Sequence, residues 1–142
     1  MKRLNKRGFT LVELLAVIAI MALIAGISVP NVLNMLEKGK KEDYISDAKQ
    51  LIAKAKYKYG MEKYQTLFTT DGACKIIIAS NLDFNKTKDS FGGTYDLTNS
   101  KVKICEEEST DKYYVKLESN TKKLQGDYVE INNLNYNIVI DK

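Results

Sequence analysis

The feature that most constrains this 142-residue chain is one carboxylate set inside hydrocarbon. From Phe9 to Val29 the polar side chains are Thr10, Glu13 and Ser28, and Leu14 to Ala25 is an unbroken run of twelve apolar residues. Coiled as a helix, positions 9–29 reach roughly 31 Å at about 1.5 Å per residue, enough to cross a bilayer core of about 30 Å. Ahead of the run stand Lys2, Arg3, Lys6 and Arg7 with no acid, the bias that keeps a flank in the cytoplasm. Pro30, the single proline, stands where the run stops. A secretory signal would need an apolar region of about 7 to 15 residues and then small residues at the cut. This run is longer, and its best small-x-small triplet, Gly26-Ile27-Ser28, leaves Val29 and Pro30 beyond it.

Neither a plain signal nor a plain anchor accounts for Glu13. A charge at the middle of a membrane helix costs roughly 2.5 to 3.5 kcal/mol on insertion scales and is read as functional, with a cationic partner to be named. Closer to the end of a span, the same side chain can reach the interface.

The segment Lys6-Arg7-Gly8-Phe9-Thr10-Leu11-Val12-Glu13-Leu14 closely resembles the type IV pilin signature, which type II secretion pseudopilins and competence pilins share. The likeness covers residues 6–30: a short basic class III-type leader ending in Gly, an aromatic residue after it, Glu five places from the new N-terminus, a membrane-length apolar run and a closing proline. It implies that a prepilin peptidase cuts between Gly8 and Phe9 and that Phe9 becomes N-methylated. It also gives Glu13 its partner, the Phe9 amine of a neighbouring subunit, so that Glu13, Phe9 and Pro30 are read as assembly residues. An unpaired carboxylate in hydrocarbon would be far costlier than a paired one.

Composition narrows the chemistry. There is no His, so no Ser-His-Asp or Cys-His couple and no His-ligated zinc can be built, and two Cys alone cannot complete a four-thiolate site. An enzyme is not expected, nor any cofactor or resident metal. The chain carries 22 Lys+Arg against 18 Asp+Glu; loss of the four leader cations would leave a formally neutral product. Both arginines, Arg3 and Arg7, lie in the leader, so the mature chain has no guanidinium for bidentate phosphate recognition.

Beyond Pro30, apolar positions recur at helical spacing through Leu33, Leu36, Tyr44, Ala48, Leu51, Ile52, Ala55 and Tyr59, which predicts an amphipathic continuation of the helix to a stop at Gly60. Phe9 to Tyr59 would then be about 77 Å of helix, with Pro30 expected to bend or loosen it and Gly39 a second weak point. Residues 66–72 read as loop. Cys74 to Ile78 reads as a buried strand or short helix, and residues 94–97, 101–107, 112–118, 128–132 and 136–140 read as short strands of an antiparallel sheet. Asp89-Ser90-Phe91-Gly92-Gly93-Thr94-Tyr95 is similar to the Asp-Pro-aromatic-Gly turn of many pilins, with Ser90 in the proline's place.

Cys74 and Cys105 would be exported with the head, where an even pair is more often bonded than free; two buried thiols in an anaerobic host are the alternative. The stretch from Lys54 to Tyr64 interleaves Lys and Tyr as single-strand binders do, but a helix end next to a sheet explains it as well, and DNA is not expected as a partner. Glu106 to Asp111 offers hard oxygens for calcium or, more simply, a solvated turn. Asn85-Lys86-Thr87 matches a glycosylation sequon of little meaning in a bacterial chain.

The fold expected is α+β: leader 1–8, removed; a transmembrane and filament-core helix over 9–29; and a head over 30–142 in which the second half of the helix packs on a small antiparallel sheet. The function expected is that of a structural pilus subunit, for adhesion, motility or surface interaction. Its partners would be copies of itself or other pilins in a helical filament, prepilin peptidase, the membrane before assembly, and an assembly platform protein. The Lys, Ile and Asn richness suggests a low-GC Gram-positive host, with a cytoplasmic-membrane subunit that becomes an extracellular pilus. A type II pseudopilin, a competence pilin and a membrane-tethered domain that never polymerises are the competing readings.

Overall fold

The computed structural model describes residues 9–142; the leader, Gly8 included, lies outside the described residues. One helix, α1, runs from Leu11 to Tyr59. The chain divides into two compact units between Glu37 and Lys38.

In the first unit the helix is bare. Its most apolar 18-residue window has a mean hydropathy of 2.6 and none of it is buried. Leu14, Ile18, Ile24 and Val29 are all more than half exposed, a state water does not tolerate over this length. Helical backbone continues through Pro30 without a break, so the expected loosening does not interrupt the helix. Proline removes one backbone donor there. Next to it the Asn31 side-chain amide donates to the Ile27 carbonyl at 3.3 Å.

In the second unit the helix buries Tyr44, Ile45, Asp47, Ala48, Leu51, Ile52, Ala55 and Lys58. It ends at Gly60, whose N–H still reaches the Lys56 carbonyl at 3.2 Å, and Lys56 and Lys58 in the last turn favour the negative end of the helix dipole. Seven strands follow: β1 (Thr69–Asp71), β2 (Cys74–Ile78), β3 (Lys101–Cys105), β4 (Lys112–Lys116), β5 (Lys122–Leu124), β6 (Val129–Glu130) and β7 (Val139–Asp141). They form an antiparallel five-stranded sheet in the order β1-β2-β3-β4-β6 and a two-stranded sheet of β5 and β7. Period-two alternation sets the faces. Ile77, Val102 and Val115 stand in register across the sheet and, with Ile104, are fully buried in one core with Tyr44, Ala48 and Leu51 of the helix. Lys101, Lys103, Tyr114 and Lys116 alternate with them on the half-exposed face.

Several expected elements have other bounds. The presumed loop 66–72 contains strand β1, preceded by a 3-10 turn over Glu62–Leu67. Gly72, at φ +62, opens the two-residue β1–β2 hairpin, a position that favours glycine. Residues 94–97 make only isolated bridges, Thr94 to Lys88 and Tyr95 to Ser119. The expected strands at 128–132 and 136–140 shrink to β6 and β7, each beside a 3-10 turn, and β5 was not expected at all.

Between β2 and β3 a long connection is strapped along the helix by polar rungs. Lys58 Nζ donates to the Asn81 carbonyl at 2.6 Å and pairs with Asp83 at 2.7 Å, while Lys54 donates to the Asp83 carbonyl at 2.9 Å. These contacts hold Asp83 in the left-handed region at φ +52. Further along, Lys86 pairs with Asp43 at 3.1 Å and with Asp47 at 2.8 Å, and the Tyr95 hydroxyl donates to Asp47 at 2.6 Å. Ser90, in the proline's place, donates its hydroxyl to Asp43 and so adds a rung that proline could not make.

The strap turns at Asp89. Its Oδ1 accepts from the Phe91 and Gly93 N–H groups at 2.8 and 2.7 Å, and its Oδ2 from the Ser119 and Thr121 hydroxyls at 2.5 and 3.1 Å. Burial alone would raise this carboxyl, but the donors, Ser119 and Gly93 foremost, hold it below the usual carboxylate range. Gly92 is at φ +85, and a Cβ on Gly93 would stand 2.2 Å from Thr121 Oγ1 and 2.6 Å from Asp89 Oδ2. Gly93→Ala should therefore lower the stability of the head by about 2–3 kcal/mol, the scale of overpacking with displaced polar groups. Gly39→Ala, where a Cβ meets nothing within 4 Å, should leave it unchanged or gain up to about 1 kcal/mol. Denaturant midpoints of the full chain in detergent micelles measure both.

Candidate assembly site

At the start of α1, Thr10 is the last non-helical residue and Leu11 the first helical one. Glu13 Oε2 accepts from the Thr10 N–H at 2.9 Å and from the Thr10 hydroxyl at 3.0 Å; in return the Glu13 N–H donates to Thr10 Oγ1 at 3.3 Å. The Thr10 carbonyl takes the first helical bond, from the Leu14 N–H at 3.1 Å. This is a reciprocal capping box, in which each side chain satisfies a backbone donor that the helix end leaves open. The carboxylate is thereby turned back onto Thr10, the residue next to Phe9, which is itself 86% exposed.

The structure brings Thr10 and Glu13 together, with Phe9 the residue before Thr10. Pro30 lies further along the same helix, and Gly8 falls outside the described residues. Thr10 is the partner that a reading of Glu13 as a lone charge overlooks. The signal for it is in the sequence, since Thr-x-x-Glu ahead of an apolar run is the spacing of a capping box.

In the head, Cys74 and Cys105 face each other in the β2–β3 register with Cα atoms 4.1 Å apart, and they are bonded. The bridge closes a separation of 31 residues and ties the tip of the first hairpin to the end of β3. The Glu106 to Asp111 run does not converge on a point. Glu106 accepts from the Tyr59 hydroxyl, pushing that phenol up to about 12, and Glu107 pairs with Lys112 at 2.8 Å. Among the described residues no group of three or more His, Cys, Asp or Glu side chains is placed to hold a metal ion.

The Lys- and Tyr-rich helix end is largely committed to its own fold. Lys58 is buried on the strap, Lys56 sits over the Tyr113 ring at 5.3 Å, and Lys63 sits over Tyr64 at 4.7 Å. Tyr59 packs edge-on against Phe68 at 5.6 Å, which leaves Tyr57 as the exposed aromatic of the run.

Residues 3–29 match the family model described as the prokaryotic N-terminal methylation motif. That motif is the class III leader of type IV pilins, and the long helix packed on a small antiparallel sheet is a type IV pilin-like architecture. The chain is thus pilin-like in its leader and in its fold. No curated protein and no solved structure matches it.

Replacing both Cys74 and Cys105 by Ser should destabilise the head by about 3–4 kcal/mol, the loop-closure scale for this separation. The same loss should appear when the wild-type chain is reduced, and reduction of the double variant should change nothing further. Urea titrations with and without reductant check both statements.

Proposed function

We propose that this chain is the subunit of a type IV pilus-like filament, cut after Gly8, methylated at Phe9 and polymerised through its apolar helix. The observation that carries the reading is the coincidence of the methylation motif at residues 3–29 with a helix whose apolar window is wholly unburied. Such a surface needs a partner. Before assembly the bilayer serves; in a polymer, the same face of neighbouring subunits replaces lipid, with close packing holding them together.

Glu13 then sets register. A carboxylate in a helix bundle finds a stable place only opposite a cation, and the methylated amine of a neighbouring Phe9 is the one that processing creates. Prepilin peptidase, a platform protein in the membrane and other pilins are the partners this pathway requires; the subunit waits in the cytoplasmic membrane and ends in an extracellular fibre. The head's role is to present a rigid, disulfide-closed surface rather than to catalyse.

Pilus, secretion pseudopilus and competence pilus share this chemistry, and the full pilus subunit is taken first. A tethered domain that never polymerises is a different class, and Glu13 separates the two. Glu13→Leu should insert in the membrane and be cut as the wild type is, yet yield no sheared filaments when expressed with a complete assembly system. Undiminished filaments from Glu13→Leu would contradict the register role, and absence of filaments from the wild type as well would favour the tether.

A further inference from the structure

We propose that Thr10 is a positioning residue for assembly: its side chain holds Glu13 in the orientation from which the carboxylate can take a neighbour's amine. This rests on the filament reading above. Both bonds from Thr10 fall on one carboxylate oxygen, Oε2, at 2.9 and 3.0 Å, and neither uses Oε1. A carboxylate has about four acceptor positions on its two oxygens, so the cap occupies half of the group and leaves the other half for an incoming donor. Cap and counter-charge are therefore not rivals.

The cap supplies two things that a free glutamate in hydrocarbon lacks. It keeps the charge hydrogen-bonded while the subunit is alone in the bilayer, where an unsatisfied polar group is costly. It also fixes a long side chain that otherwise samples many rotamers, so that the ordering is complete before a second subunit arrives. The return bond from the Glu13 N–H to Thr10 Oγ1 at 3.3 Å locks the hydroxyl itself, which makes the arrangement reciprocal. A valine has the same shape as threonine but neither donor nor acceptor on its side chain; a serine keeps both.

The test compares Thr10→Val, Thr10→Ser, Glu13→Leu and the double variant Thr10→Val/Glu13→Leu as full chains, expressed with prepilin peptidase and a complete assembly system. Sheared filament yield is read against the amount of subunit cut at Phe9. Thr10→Val should be cut normally and yield about fivefold to tenfold fewer filaments per cut subunit, the scale of one lost cap. Thr10→Ser should stay within about twofold of wild type, and the double variant should be no worse than Glu13→Leu alone.

Wild-type yield from Thr10→Val, with Glu13→Leu inactive, would overturn this proposal and leave the filament reading standing. Thr10→Ser failing as badly as Thr10→Val would also overturn it, since the loss would then follow side-chain shape rather than the cap. Undiminished yield from Glu13→Leu would overturn the register role and this inference together.

Discussion

A carboxylate placed near the start of an apolar helix is the constraint on which the functional half of this molecule depends. Positions 9–29 are hydrophobic enough for a bilayer, and one leucine in place of Glu13 would make them a better anchor. The acid costs membrane affinity, so its presence asks for a compensating interaction. Within the chain, Thr10 provides part of it through a capping box that satisfies one carboxylate oxygen and two backbone donors. In the filament reading proposed above, the remainder comes from outside the subunit, from a neighbouring helix that a lone anchor would not have.

The head is organised by a different rule, that buried polar groups must be paired. Asp47 is fully buried and is held by Lys86 and Tyr95; Asp89 is nearly so and takes four donors. No buried side-chain nitrogen or oxygen among the described residues lacks a partner. Through these carboxylates a long irregular connection is fixed to the helix without becoming a strand. The Tyr44 hydroxyl adds a tie to the Leu117 and Lys122 carbonyls, and burial raises that phenol well above its ordinary value. The result is a head whose rigidity comes as much from polar rungs as from its small sheet.

What could be read in advance followed the strength of the local signals. The helix over residues 11–59 announces itself by hydropathy and then by 3.6-residue spacing, and β3 and β4 by alternation of Val, Ile and Tyr with Lys; β2 is a short run of three Ile that reads equally as a strand or a short helix. Strand β1 has three exposed residues and β5 is Lys-Lys-Leu, so neither offers a pattern; both exist because a neighbouring strand pairs with them. Residues 94–97 carry strand-like side chains, yet the Asp89 hub directs that backbone into isolated bridges. The rungs at Asp43, Asp47 and Lys86 join positions some forty residues apart, a separation that no single chain reveals by spacing. At the assembly site Glu13 stands out by its charge, whereas Thr10 is visible only when the two are read together as a cap.

The central claim is that the chain enters the pilin pathway at its N-terminus. It is tested most directly by expressing the full chain with a prepilin peptidase and determining the N-terminal residue and intact mass of the membrane-extracted product. The account predicts a chain that starts at Phe9 and carries one added methyl group. A product that retains Met1, or one cut near Ser28, would contradict it.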